Sequence, residues 1–199
     1  MNTIEIVKQL RTVTGAGVME CRKALEQCDQ NFEKALVFLQ EMAGEKARKR
    51  ADHETLDGKI ELYSHNDGRI GVMVEVNTET EFASRSEAFL DFVHEIALQV
   101  AAASPLYVRD DEIPQPVLDE LKSEASEKAR RAGKPETVVE KIVAGGIEKY
   151  KEIHVLLRQP YLRDETITVS QLLGQKIGQI GENIIIRRFV RWEINPEGQ

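Results

Sequence analysis

Leu10-Arg-Thr-Val-Thr-Gly-Ala-Gly-Val-Met-Glu-Cys-Arg-Lys-Ala-Leu25 is the stretch on which the fold turns. It reads as the end of one helix, a glycine turn and the start of a second helix. On that second helix Val18, Cys21, Leu25 and Cys28 recur at helical spacing and form one apolar stripe. Met19 falls off the stripe, because the residues one turn on are Arg22 and Lys23. A methionine at a helix start on a polar face is a candidate contact for another protein.

Outward from this stretch the same period continues. Ile6, Val7, Leu10 and Val13 form a stripe before the turn. Phe32, Ala35, Leu36, Leu39, Met42 and Ala43 form another after it, with Asn31 as the expected cap. Helices this short do not persist alone in water, so the three must pack on one another. Glu45-Lys-Ala-Arg-Lys-Arg50 places cations where a helix C-terminus favours them. The polar residues to His53 read as a linker, which closes an N-terminal domain at 1–53 and opens a core domain at 54–199.

The period then changes to two. Lys59-Ile-Glu-Leu-Tyr63 alternates, as do Ile70, Val72, Val74 and Val76, and Asn66-Asp67-Gly68 between them signals a hairpin. A helix follows, with Ser84 and Glu87 as its expected capping box and Phe89, Phe92, Val93, Ile96 and Val100 on its inner face. Pro114 opens a helical pair broken at Gly133-Lys-Pro135, with Gly145-Gly146 weakening the second member. Val155-Leu-Leu157 reads as a short strand. Thr168 and Gln171 fit another capping box, before a helix faced by Val169, Leu172, Leu173, Ile177 and Ile180. Ile184, Ile186, Val190, Trp192 and Ile194 alternate with Arg187, Arg191 and Glu193 as a final strand. The expected class is α+β: an N-terminal three-helix bundle, then an antiparallel-sheet core with packed helices and an inserted αα-hairpin at about 114–152.

Composition narrows the function. The chain of 199 residues carries a net charge of −7. An acidic chain is a poor candidate for wrapping nucleic acid, although Lys46, Arg48, Lys49 and Arg50 make one local basic cluster. No apolar run approaches the roughly 18 residues that a membrane helix needs. Met1-Asn-Thr-Ile-Glu-Ile lacks the layout of a signal peptide, so a cytoplasmic location is expected. Cys21 and Cys28 lie too far apart along a helix for a disulfide and read as small core residues.

Reaction chemistry is sparse. Gly15-Ala-Gly17 fails the dinucleotide fingerprint, since Glu20 stands at the third glycine and a helix precedes it. There is no phosphate-binding loop with its lysine, so the chain is not expected to bind GTP. His94-Glu95 starts like a zinc-protease helix, but Leu98 occupies the second histidine position. No serine elbow is present and neither cysteine has a histidine nearby in sequence. No enzyme activity, cofactor or metal site is expected.

Asn77-Thr-Glu-Thr-Glu-Phe-Ala83 is different. It leaves a strand and precedes a helix, the position in which loops are exposed and often functional. Phe82 there is either folded back into the core or offered to a partner.

Several of these stretches resemble the translation elongation factor Ts family. The Leu10–Leu25 run is similar to its N-terminal signature, and the three helices resemble the ubiquitin-associated type of domain that opens it. Asn77, Thr80, Glu81, Phe82 and Ala83 resemble its Asn-x-x-Thr-Asp-Phe-Val-Ala segment, with two departures: Glu81 stands in place of aspartate, and the small apolar residue between phenylalanine and alanine is missing or substituted. Gly133-Lys-Pro135 and Glu140-Lys-Ile-Val143 match a further family stretch. Gln159-Pro-Tyr-Leu162 is similar to Gln-Pro-Phe-Val, and Gly181-Glu-Asn-Ile-Ile-Ile-Arg-Arg-Phe189 to Gly-Glu-Asn-Ile-x-x-Arg-Arg. The length is that of the short form, with one core subdomain.

The resemblance implies a guanine nucleotide exchange factor for the GTPase elongation factor Tu. Thr80, Glu81, Phe82 and Ala83 would form a wedge near the partner's bound magnesium, and Arg11, Val18 and Met19 would touch its nucleotide-binding domain. It implies no direct nucleic-acid or membrane partner. A homodimer stays open, since short members can be dimeric and the final strand can serve as a pairing edge. The competing reading is a ubiquitin-associated-like adaptor that binds polypeptides without exchange activity.

Overall fold

The computed structural model describes residues 3–66 and 68–194. Met1, Asn2, the Asp67 of the expected hairpin turn and residues 195–199 lie outside the described residues. Contacts divide the chain into two units, 1–98 with 170–199, and 99–169.

The first unit begins with α1 (Thr3–Thr14), α2 (Val18–Gln27) and α3 (Phe32–Arg50). Each end has a local cause. Thr14 Oγ1 donates to the Leu10 carbonyl at 2.7 Å and accepts the Ala16 amide, closing α1. Gly15 then takes a positive φ of 68°, which a side chain resists. Glu20 reaches back to the Gly17 amide at 3.2 Å at the start of α2. Asn31 Oδ1 accepts the Lys34 amide at 3.0 Å and caps α3, as expected.

Leu10, Cys21, Ala24, Leu25, Ala35 and Leu39 form the buried centre of these helices. Two expected core positions are corrected: Val13 and Val18 are exposed. The buried face of α2 runs through Cys21, Ala24 and Leu25, so Val18 in its first turn stands beyond the end of the core. Burial pushes the Cys21 thiol up from its ordinary value, consistent with an inert core cysteine.

The sheet has the order β1-β2-β5, all antiparallel, from β1 (Asp57–His65), β2 (Ile70–Thr78) and β5 (Ile184–Glu193). Asn66 and Gly68 in the hairpin turn both take positive φ. Val72, Val74 and Val76 are buried on the inner face. Helix α5 (Glu87–Ala103) lies on that side, where His94 Nδ1 is 3.0 Å from Glu61 and its ring stands edge-on to Tyr63.

The final strand is not one uninterrupted alternation. Val76 pairs with Ile186 but Glu75 pairs with Arg188, so Arg187 is an extra residue in a bulge. One inserted residue exchanges the two faces. Ile184 and Ile186 face inward as expected, yet beyond the bulge Phe189 and Arg191 take the inner register. Val190 and Trp192 pass to the outside, and Trp192 is 79% exposed.

The capping box expected at Ser84 is also displaced. Ser84 Oγ donates to the Glu81 carbonyl and closes a separate short helix, α4 (Glu81–Ser84), whereas Ser86 Oγ accepts the Phe89 amide at the start of α5.

The second unit contains α6 (Gln115–Arg131) and α7 (Glu136–His154), each preceded by a proline. α7 runs unbroken through Gly145 and Gly146. The strand expected at Val155–Leu157 is corrected to a single parallel bridge, Val155 with Tyr107, followed by a 3-10 turn over Leu156–Arg158. Two short strands that the periodicity missed, β3 (Pro160–Tyr161) and β4 (Asp164–Thr168), pair antiparallel beside it. The side chain of Gln99, buried here, donates to Gln159 and to the Pro160 carbonyl and accepts the Leu162 amide. Helix α8 (Val169–Ile180) leads back to the first unit. No helix among the described residues is long and apolar enough to cross a membrane.

Candidate functional site

Phe82 is 87% exposed, so the aromatic is held out of the core. The residues around it explain how. Strand β2 ends at Thr78, whose side chain is buried. Thr80 is extended and caps α4, its hydroxyl accepting the Ala83 amide at 3.2 Å. Ala83 and Ser84 are buried and form the inward side of that single turn. Glu81 and Phe82 take the outward side.

Glu81 forms an ion pair with Arg85, four residues on, and both side chains are largely exposed. Such a pair contributes about 0–1 kcal/mol, so it can open at little cost when a competing charge approaches.

Two carboxylates brace the loop from behind. Glu182 accepts the Thr80 hydroxyl at 2.7 Å, the Thr80 amide at 3.0 Å and the Thr78 hydroxyl at 3.2 Å. Glu79 accepts Arg50 Nη1 at 3.0 Å and the Asn183 amide, and stands 3.1 Å from His53 Nδ1. Burial would raise the Glu79 carboxyl, but the Asn183 amide, His53 and Arg50 together hold it below its ordinary value. Asn183 is itself buried and donates its side-chain amide to the carbonyls of Ala51 and His53.

The other predicted contacts lie on the bundle. Met19 is 72% exposed and Val18 is exposed beside it, in the first turn of α2. Arg11 is exposed in the last turn of α1, its carbonyl accepting the Gly15 amide of the intervening turn. The structure thus groups Thr80–Ala83 on one turn, and Arg11, Val18 and Met19 around another. Glu79, Glu182, Asn183, Arg50 and His53 were missed as part of the site. Spacing carries no signal for them, because they meet only across more than 100 residues of chain in the case of Glu79 and Asn183.

The basic cluster at the C-terminal end of α3 is partly committed within the fold. Lys46 pairs with Glu20, and Arg50 with Glu79. Among the described residues no three His, Cys, Asp or Glu side chains gather as a metal ion would require.

The comparisons with known proteins agree in one direction. A family model described as Elongation factor TS matches residues 3–194. An Elongation factor Ts from Acetivibrio thermocellus is 50% identical over 194 residues, covering 97% of this chain and 90% of that protein. That of Coprothermobacter proteolyticus is 44% identical, covering 95% and 96% respectively. That of Carboxydothermus hydrogenoformans is 45% identical, covering 98% and 89%.

Proposed function

The chain belongs to the elongation factor Ts family, and on that premise we propose how it works on its partner. It is a guanine nucleotide exchange factor of translation elongation. The partner is the GTPase elongation factor Tu, and the setting we assign is the cytoplasm. The adaptor reading finds no support in the comparisons.

GDP is held in a GTPase largely by charge, with phosphates set against backbone N–H groups, a lysine and Mg²⁺. An exchange factor makes and breaks no covalent bond. It binds the nucleotide-free form better than the GDP form, and linkage requires GDP to weaken the factor by the same ratio. We assign that difference to the turn Thr80–Ala83. Phe82 enters beside the magnesium site, and Glu81 leaves Arg85 to compete for positive groups there. Arg11, Val18 and Met19 anchor the ubiquitin-associated-like bundle on the nucleotide-binding domain. The single observation that carries the reading is Phe82, an aromatic side chain 87% exposed on a turn braced from behind.

We further assign a second copy of this chain to the outer sheet face. Ile60, Leu62, Met73, Val190 and Trp192 are all exposed there. Glu75 and Arg188 pair on the same face at 2.7 Å, so two copies related by a two-fold axis can exchange these charges around an apolar centre. The domain division at 53/54 and the α6–α7 hairpin as an insertion are part of the same proposal.

The test is to mix the protein with GDP-loaded elongation factor Tu and time nucleotide loss by stopped flow. Removing a buried aromatic anchor costs about 2–4 kcal/mol, so Phe82→Ala should slow assisted release at least about tenfold. Unchanged release would remove the wedge.

A further inference from the structure

A four-residue helix has no stability of its own, because nucleation fixes several dihedrals for one hydrogen bond. Something outside it must keep Phe82 in one place. Thr80 is where that happens. Its hydroxyl has one proton and two lone pairs. The proton goes to Glu182 Oε1 at 2.7 Å, which leaves a lone pair free to meet the Ala83 amide at 3.2 Å. Glu182 also takes the Thr80 backbone amide, so one carboxylate sets both the side chain and the backbone of the cap.

The next residue along faces elsewhere. Asn183 donates its side chain to the carbonyls of Ala51 and His53, just past the end of α3, and its amide to Glu79. Glu79 in turn takes Arg50, the last residue of α3. The exit of the N-terminal bundle and the Phe82 turn are therefore gripped by adjacent residues of one tight bend, which follows Gly181 at φ 81°.

We propose that Glu182 and Glu79 are positioning residues for nucleotide exchange: Glu182 presets the turn that carries Phe82, and Glu79 ties it to the bundle, so that binding through the bundle is delivered to the wedge. This rests on the reading of Phe82 given above. Preorganisation of this kind acts on the strained, nucleotide-releasing complex and not on the first encounter. Removing it should lower the rate at saturation and leave the concentration dependence alone.

The experiment measures GDP release from elongation factor Tu against the concentration of the factor, for Glu182→Gln, Glu79→Gln, Phe82→Ala and the double variant Glu182→Gln with Phe82→Ala. Circular dichroism melts run alongside. A glutamine keeps the shape but replaces one accepting oxygen by a donor. Expected are a fall of about tenfold in the saturating rate for Glu182→Gln, with half-saturation within about twofold, and a smaller fall in the same sense for Glu79→Gln. On top of Phe82→Ala, Glu182→Gln should cost less than about twofold, because the side chain it positions is gone. A full saturating rate in folded Glu182→Gln, while Phe82→Ala loses its rate, overturns this proposal and spares the wedge. Equal fractional losses with and without Phe82 overturn it as well. A full rate in Phe82→Ala itself overturns both. Loss of cooperative melting in both glutamine variants makes the carboxylates fold residues and overturns the positioning role.

Discussion

Gly178 on α8 approaches Ala43 on α3 so closely that a Cβ built on the glycine would lie 3.1 Å from the Ala43 Cβ and 3.3 Å from its Cα. The two small residues let a C-terminal helix come close to the last helix of the bundle at this point. A Gly178→Val variant should force the helices apart and lose about 1–3 kcal/mol in urea unfolding, the usual cost of overpacking. Adding Ala43→Gly should recover part of that loss. Equal stability of Gly178→Val and the parent would mean that the contact relaxes freely.

Glu20 predicts an acid dependence. Its carboxyl lies below the ordinary value of 4.5, chiefly through the bond with Lys46, with the Gly17 amide adding to it and burial opposing. A carboxyl depressed in the folded chain binds fewer protons there than when unfolded. Its contribution is complete above 4.5 and disappears as pH falls through the folded value. Glu20→Gln should therefore be less stable than the parent at neutral pH, and the two should converge as pH falls through the folded value. A constant difference across that range would show that the charge is not involved.

Gly145 and Gly146 lie inside α7, and a Cβ at either meets nothing within 4 Å. Alanine there should add about 0.5–1 kcal/mol per site through helix propensity. Thermal melts of Gly145→Ala and Gly146→Ala should rise, with assisted GDP release unchanged. A fall in either melting temperature would reveal a contact made by those glycines.

Met19→Asp should act on affinity and not on the maximal rate. A charge in the first turn of α2 leaves the core intact, since Met19 is 72% exposed. Loss of a contact of this kind should raise the half-saturating concentration in the exchange assay about tenfold or more. A drop in saturating rate with unchanged half-saturation would move Met19 from anchor to wedge.

Trp192→Ser combined with Leu62→Ser should leave a monomer in light scattering, where the parent should run at twice 22.5 kDa. Both side chains stand on the outer face of the sheet, on neighbouring cross-strand rows. A parent that is monomeric at high concentration would leave that face without a second copy.

Much of this was legible beforehand. The three N-terminal helices, the hairpin around Asn66 and Gly68, and the helix carrying Phe89, Phe92 and Val93 follow from periodicity and turn chemistry within a few residues. The segment Thr80–Ala83 stood out because a loop between a strand and a helix held an aromatic among charges. What failed were choices between close alternatives. Ser84 and Ser86 are both acceptable caps, and the buried side of α4 selects Ser86. Val155–Leu157 looks like a strand, but the Val155 amide still goes to the Lys151 carbonyl of α7, only the Leu156 and Leu157 amides go to the carbonyls of Tyr107 and Val108, and the chain then turns.

The chain alone determined its longer helices, its hairpin and its family, because these reside in neighbouring residues and in ordered motifs. Tertiary structure decided which way Trp192 faces and what holds Phe82 out. The first depends on an extra residue, Arg187, visible only once β5 is paired with β2. The second depends on carboxylates such as Glu182, which reaches Thr80 across 102 positions of sequence. Local pattern cannot encode a partner that folding alone brings within hydrogen-bonding distance.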